Sequence, residues 1–518
     1  MVVIIVKKYK PVPQKFSNCS NKEATPKPLD GYAIRGYGPS PTAENNTTSL
    51  SSLLTDPSEE KKLPAIYPAA WGWNANGRAG NITEEQVSVP RFTQKSADNR
   101  FIACAAGYHH SLLVADNGVV YSFGEGRDGQ LGYGNPFFDR PKKGGDVQVI
   151  PRAVNPSGVI KNGRDLKIVE VACGGTFSLA REGGNEEGVA LCHGLQTLEM
   201  ALKKIHHDYY DSPPVQYAWA AVRQERAELS NSFSGRIVSW GRGNAGQLGQ
   251  GKRDTYMPYP QPVPKLDNIS ITQIAAGKNH CLAISKEGRL YAWGMGKSGC
   301  LGFKNNENQF FPKLVTYFDH NFVTFCAAGD AHSVVIIKNK KLSVNPLMNL
   351  PVIASFGRGA HGRLGMNNNK SNSTPRVILH WPPSSKGFYF REVAAGGAHS
   401  LALCTKDVPK TLSNPYGIVT NVYAWGFGTN GQLGTGDKLT DSFVPVKVKM
   451  PKWELVTQIS AGRSWSVART VAGDIYTWGK GMRGQLGHGA RREFSFAPRK
   501  VETFASFVGI SSGYAHNV

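Results

Sequence analysis

The chain has 518 residues, 40% hydrophobic and 19% charged, with 58 glycines and a formal net charge of +22. No apolar run reaches the roughly eighteen residues of a membrane-spanning helix, and the eight cysteines (Cys19, Cys104, Cys173, Cys192, Cys281, Cys300, Cys326, Cys404) form no CxxC pair, so free thiols are expected. The basic excess sets up a field that attracts nucleic acid or acidic protein, or else simply gives a well-solvated surface; it says nothing about fold.

Residues 1–62 are rich in Pro, Ser, Thr, Asn and Lys and read as an extended or disordered basic arm. Met1-Val-Val-Ile-Ile-Val6 is too short for a secretory core. The first acid, Glu23, comes after Lys7, Lys8, Lys10 and Lys15, a pattern that resembles an organellar targeting peptide without its arginines.

From Pro64 onward two half-motifs alternate. The first is glycine-rich: Trp71-Gly-Trp-Asn-Ala-Asn-Gly-Arg-Ala-Gly80, then Phe123 to Gly132, Trp240 to Gly249, Trp293 to Gly302, Phe356 to Gly365, Trp425-Gly-Phe-Gly-Thr-Asn-Gly-Gln-Leu-Gly434 and Trp478 to Gly487. The second begins with small residues: Ala106-Gly-Tyr-His-His-Ser111, Cys173-Gly-Gly-Thr-Phe-Ser178, Ala276-Gly-Lys-Asn-His-Cys281, Ala328-Gly-Asp-Ala-His-Ser333, Ala395-Gly-Gly-Ala-His-Ser400, Ala461-Gly-Arg-Ser-Trp-Ser466 and Ser512-Gly-Tyr-Ala-His-Asn517. A period near fifty residues holds about four short strands, the size of one propeller blade. Leu282 to Trp293, turning at Glu287-Gly288, reads as a hairpin between the halves, and Val467 to Trp478 repeats it. Pro375, Pro445 and Pro498 precede β-branched runs and suit an edge or strand-entry position.

One unit departs from the pattern. Between Ala180 and Gly235 the hairpin turn is replaced by more than fifty residues. Leu195, Leu198, Leu202 and Ile205 share one helical face, and Val215 to Leu229 offers a second helical run, so 181–234 is expected to be a helical insertion. It either projects as a docking knob, presenting Tyr209, Tyr210, Trp219 and Arg223, or packs back on its blade. A shorter insertion at 135–148 carries Arg140, Lys142 and Lys143, also assigned to partner binding.

Two chemical readings are weak. His110, His280, His332, His399 and His516 occupy one repeated slot, but Trp465 and Phe177 fill it elsewhere and neither binds a metal, so a structural role is expected. Stretches such as Gly241-Arg-Gly-Asn-Ala-Gly246 fit G-x-G-x-x-G without the helix a phosphate loop opens, which assigns the glycines to turns. The pairs His206-His207 and Cys192-His193 are the densest ligand types, and no metal, cofactor or catalytic constellation is expected.

Both half-motifs together make residues 64–518 resemble the regulator of chromosome condensation family. The resemblance implies an all-β fold, a seven-bladed β-propeller over 63–518. Its first blade is expected to be shared between the chain ends, the strand near 515–518 pairing with the strand near 65–71. The family spans an exchange factor for the small GTPase Ran that also binds chromatin, scaffolds, light receptors, ciliary proteins and mitochondrial proteins. The expected function is a non-enzymatic protein-interaction scaffold within a larger ribonucleoprotein, chromatin or cytoskeletal assembly. The alternative is guanine-nucleotide exchange on a Ras-like GTPase, with Asp330 and His332 on the exchange face. Expected partners are proteins, with RNA or DNA contact through the basic surface or a small GTPase as further options, around a monomeric propeller. An intracellular setting is expected, mitochondrion or nucleus ahead of cytoplasm or cilium.

Overall fold

Segments of five to nine β-prone residues between glycine turns cannot bury themselves singly, so they pair and stack. The computed structural model describes residues 68–80, 86–93, 100–134, 147–154, 167–183, 235–339, 350–503 and 505–518, except 254, 412, 413, 415, 437–439, 453 and 490–493. Among them stand seven antiparallel sheets. One joins β1 (Ala69–Trp73), β2 (Gln86–Phe92) and β27 (His516–Asn517).

The other sheets have four strands each, in chain order from the channel outward. They are β3 (Phe101–Ala106), β4 (His110–Ala115), β5 (Val120–Glu125) and β6 (Val147–Ala153); then β7 (Ile168–Cys173), β8 (Phe177–Glu182), β9 (Ile237–Gly243) and β10 (Thr255–Pro262). Next come β11 (Ile271–Ala276), β12 (His280–Ser285), β13 (Leu290–Gly294) and β14 (Gln309–Leu314), and β15 (Asn321–Ala328), β16 (His332–Asn339), β17 (Val352–Gly357) and β18 (Asn372–Val377). The last two are β19 (Tyr389–Ala395), β20 (His399–Asp407), β21 (Ile418–Gly426) and β22 (Ser442–Lys447), and β23 (Val456–Ala461), β24 (Trp465–Thr470), β25 (Ile475–Lys480) and β26 (Phe494–Lys500). This is the seven-bladed propeller the repeats imply.

The innermost strands end in pairs such as Ala105-Ala106, Ala327-Ala328 and Ala394-Ala395, because blades converge there and leave room only for small side chains. Further out, Trp71, Trp240, Trp293, Trp425 and Trp478 fill the wider inter-blade space and are buried, with Phe123 and Phe356 in the other two blades. Pro375, Pro445 and Pro498 lie inside the outer strands β18, β22 and β26, at the irregular stretch of the pairing, where no ladder bond is lost.

The glycines of the motif are forced. Gly426 has φ of +103°, and a Cβ there would lie 2.6 Å from the Ala398 carbonyl oxygen. The Gly426→Ala variant should therefore lose roughly 2–3 kcal/mol, read as a lower denaturant midpoint at unchanged slope.

Ring closure follows the expected pairing. Trp71 faces Asn517 and Gly72 faces His516 across β1 and β27, and the Trp73 amide donates to the Ala515 carbonyl at 2.8 Å. The Ser511 and Val518 backbones exchange two further bonds, so Ile510 to Ser512 completes the blade as its inner strand.

The helical insertion is not borne out. Residues 184–234 lie outside the described residues, and 181–182 are the end of β8, with Arg181 paired to Ile237 and the Glu182 amide donating to Arg236. No α-helix occurs among the described residues, whose helical turns are single 3-10 turns such as Lys297–Gly299. The arm expected at 1–62 also lies outside them. Among the described residues, no helix is long and apolar enough to cross a membrane.

Candidate functional site

Five of the seven sheets are tied to the next by a relay built from both half-motifs. His110 Nε2 lies 2.8 Å from Ser178 Oγ in the following blade; the same bond joins His280 to Ser333, His332 to Ser400, His399 to Ser466 and His516 to Ser111, at 2.7–3.0 Å. Each serine hydroxyl in turn donates to a backbone carbonyl of the glycine-rich stretch: Gln130, Cys300, Arg363, Gln432 and Arg78 respectively. A hydroxyl has one proton, so the histidine Nε2–H must be the donor to it. Three of those carbonyls take a second bond, from an indole: Trp240 to Gln130, Trp425 to Arg363 and Trp478 to Gln432. The indole bond uses the second lone pair of each of those carbonyls.

The two exceptions in the histidine slot carry matched changes in the next blade. Trp465 donates from Nε1 to Asn517 Oδ1 at 3.0 Å, and Asn517 Nδ2 donates onward to the Gln485 carbonyl at 2.7 Å. Phe177 has no proton to give, and its serine is replaced by Cys281, whose Sγ contacts the Gln247 carbonyl. Sequence reasoning recorded the slot but missed this pairing, although the sixth residue of the following half-motif displays it. A Phe177→His variant should cost roughly 1–3 kcal/mol by facing an Nε2–H onto a weak sulfur acceptor, and adding Cys281→Ser should recover about 1 kcal/mol in chemical denaturation.

The loops that carry this relay converge on one mouth of the channel. The third residue of six of the seven loops, Tyr108, Lys278, Asp330, Gly397, Arg463 and Tyr514, lines a cavity of about 70 Å³. Six junctions of the ring are closed by backbone bonds: Tyr108 N to Gly174 O, Gly175 N to Lys278 O, Lys278 N to Gly329 O, Asp330 N to Gly396 O, Gly397 N to Gly462 O and Tyr514 N to Gly107 O. At the seventh, the Arg463 guanidinium lies 4.3 Å over the Tyr514 ring. Tyr514 packs on Tyr108 at 4.6 Å, and the Tyr108 hydroxyl reaches across the mouth to donate to Asp330. Burial and Asp330 together hold that phenol well above its usual range.

A wider ring on the same face comes from the residue after each Trp-Gly or Phe-Gly pair, because its amide bonds the neighbouring loop: Glu125 to His109, Arg242 to Thr176, Lys480 to Ser464. Here the acids are already engaged. Glu125 pairs with Arg127 at 3.1 Å and His109 at 3.5 Å, Asp128 with Arg242 at 3.2 Å, and Asp441 with His361 at 2.8 Å. Trp73 carries two guanidiniums, Arg483 at 3.7 Å and Arg78 at 4.4 Å from its ring. Arg78 is buried and also donates to the Ala75 and Tyr108 carbonyls; burial brings it down to about 10, still charged at neutral pH.

Deeper in the channel a space of about 170 Å³ is walled by the small inner-strand residues and Glu392. That carboxylate accepts from the Ile459 amide at 3.3 Å, and burial pushes it up to about 7.

Of the site residues expected from sequence, Asp330 is half-buried at the mouth and bonded to Tyr108, whereas His332 is fully buried in the blade-to-blade relay. They are two residues apart in one loop but do not share a surface. Tyr209, Tyr210, Trp219, Arg223, Arg140, Lys142 and Lys143 lie outside the described residues, as do His206-His207 and Cys192-His193. The described residues hold no group of three or more His, Cys, Asp or Glu able to bind a metal, and their six cysteines are buried free thiols. Tyr108, Tyr514, Arg463, Arg483 and Trp73 were missed; lining up the third loop residue across the seven repeats would have found the first three.

Comparison with known proteins agrees with this geometry. The Regulator of chromosome condensation (RCC1) repeat matches seven times, at residues 70–114, 117–181, 234–284, 287–336, 355–403, 421–469 and 472–518. The ultraviolet-B receptor UVR8 of Arabidopsis thaliana is 26% identical over 441 residues, covering 82% of this chain and 86% of the receptor. The human E3 ubiquitin-protein ligase HERC2 is 28% identical over 298 residues, which are 57% of this chain and 6% of the ligase. Among solved structures, Prp20p of Saccharomyces cerevisiae superposes with a TM-score of 0.62 at 19% identity, covering 87% of this chain and 90% of Prp20p, a likeness of fold. That structure is described with its binding to Gsp1p and histones.

Proposed function

The chain belongs to the regulator of chromosome condensation repeat family, and from that premise we propose that it is a non-enzymatic protein-interaction scaffold. Its docking surface is the propeller face that carries the channel-mouth loops, and it works inside a larger assembly. One observation carries the reading: Tyr108, Tyr514, Trp73, Arg463 and Arg483 gather on one face, the loops of Tyr108, Tyr514 and Arg463 being bonded through their backbones from blade to blade. Aromatic residues and Arg are among the types enriched in the cores of protein interfaces, and a rigid base keeps the ordering cost of binding small. Partners of the kind bound by Prp20p, a protein of similar fold, suit the same surface.

Crosslinking mass spectrometry on the tagged full chain from its own cells tests this. Partner crosslinks should concentrate on Lys278, Lys297 and Lys480, all on the loop face. Crosslinks confined to the outer strands or the opposite face would sink the reading. A single small GTPase that dominates the crosslinks and is lost on adding GTP would replace it with nucleotide exchange.

A further inference from the structure

The loop face divides into two electrostatic sectors. In one, the acids of the wider ring already have bases, Glu125 with Arg127 and His109, Asp128 with Arg242, and Asp441 with His361, while Asp330 at the mouth accepts from the Tyr108 hydroxyl. The other, spanning the β23–β26 blade and the shared blade, holds Arg463, Lys480 and Arg483, and among the described residues none of them has a carboxylate within ion-pair distance. Arg463 and Arg483 are exposed, and Lys278 adds a further exposed cation, 5.4 Å over the Tyr108 ring. The field of Arg483 also acts on Arg78 across Trp73 as a like charge.

We propose that this sector is a clamp for an acidic segment of a partner protein, in which Arg463 on Tyr514 and Arg483 on Trp73 receive Asp or Glu carboxylates. The inference rests on the reading of this face as the docking surface and names the chemistry that it recognises. A guanidinium laid over an aromatic ring loses little further freedom on binding, and its planar fork matches a carboxylate with two parallel bonds. Carboxylates would also relieve the repulsion between two cations on one indole.

The same geometry disfavours single-stranded nucleic acid. Such binding depends on aromatic faces open for bases to stack on. Here the Tyr514 face is covered by Arg463 and Tyr108, and the Trp73 ring carries two guanidiniums, so the chemistry left outward is N–H edges.

The test is fluorescence anisotropy of the full chain with a labelled peptide of repeating Glu-Asp-Gly, against its Gln-Asn-Gly counterpart and a single-stranded DNA oligonucleotide of matched charge. The acidic peptide should bind, more weakly as salt rises. Arg463→Ala and Arg483→Ala should each weaken it by about tenfold, Arg463→Lys and Arg483→Lys nearly as much, and Arg127→Ala, in the neutralised sector, not at all. The proposal is overturned if the neutral peptide binds equally, if the alanine variants bind like the parent, or if only the oligonucleotide binds. Should those results appear while partner crosslinks still map to this face, the docking surface stands and the acidic clamp falls.

Discussion

Deletion of residues 508–518 should abolish the native fold at ordinary temperature. The segment supplies β27, the only described strand that pairs with β1 on its channel side, and it buries Ile510, Ala515 and Val518. It also removes His516, which bonds Ser111, and Asn517, which bonds both Trp465 and the Gln485 carbonyl. Cys104 Sγ and the Ala106 amide lose partners in the same stroke, Val518 O and Ser511 Oγ. Burial of two large aliphatic side chains contributes about 2 kcal/mol each, and the lost bonds about 1 kcal/mol each, more where a buried group is stranded. The sum approaches or exceeds 8 kcal/mol, comparable to the whole stability of a typical domain. Circular dichroism and thermal melting of the truncated chain should show no cooperative transition, or one lowered by well over 10 °C. A melting temperature within a few degrees of the parent would refute closure as a main source of stability.

A milder variant separates closure from loss of mass. Val518→Asp keeps every residue but places a carboxylate where Val518 is fully buried beside Phe507 and Ile510. Burying an unpaired charge costs several kcal/mol, so this one substitution should take much of the effect of the deletion.

The sequence made the propeller legible because every blade solves one packing problem with the same residues. Glycine is required where a Cβ would strike a neighbouring carbonyl, and tryptophan where the inter-blade wedge widens; both leave fixed spacings in the chain. Closure was legible for the same reason, since the two ends hold complementary halves of one repeat. The 184–234 segment obeyed no repeat, so its reading rested on apolar spacing alone, and the described residues carry no α-helix. The face was legible only by column. Tyr108 and Asp330 are 222 residues apart and meet because the ring brings non-adjacent blades together across its mouth. No local window holds that contact. The Phe177–Cys281 and Trp465–Asn517 exchanges were hidden likewise, because each couples a slot in one blade to a slot in the next.

Acid should unfold this protein over the range in which the histidines of the unfolded chain take up protons. Five relay histidines are fully buried, and burial is the first cause that lowers them all: His110 and His399 to about 3, His280 to about 4, His332 and His516 well below the ordinary value. The tautomer explains why protonation is not accommodated. Nε2–H is already given to serine, so a second proton must sit on Nδ1, and in His110, His332, His399 and His516 that atom has no partner. The unfolded chain takes up these protons near pH 6.5 and the folded chain does not. Their contribution is complete above about pH 6.5 and drains as pH falls from there toward the folded values, at up to about 7 kcal/mol per pH unit for five groups. Glu392 opposes this: raised to about 7, it favours the folded state as pH falls from about 7 to about 4.5. The net loss between about pH 7.5 and pH 5.5 is therefore roughly 5 kcal/mol, enough to bring a typical domain close to unfolding. Guanidinium titrations across that range should show the midpoint falling steeply. Replacing His280 with Phe and Ser333 with Cys copies the pairing already present at Phe177 and Cys281 and removes one titrating group while keeping the joint filled. That double variant should lower the slope by about 1.4 kcal/mol per pH unit, whereas an unchanged slope would mean that the relay histidines do not set the acid limit.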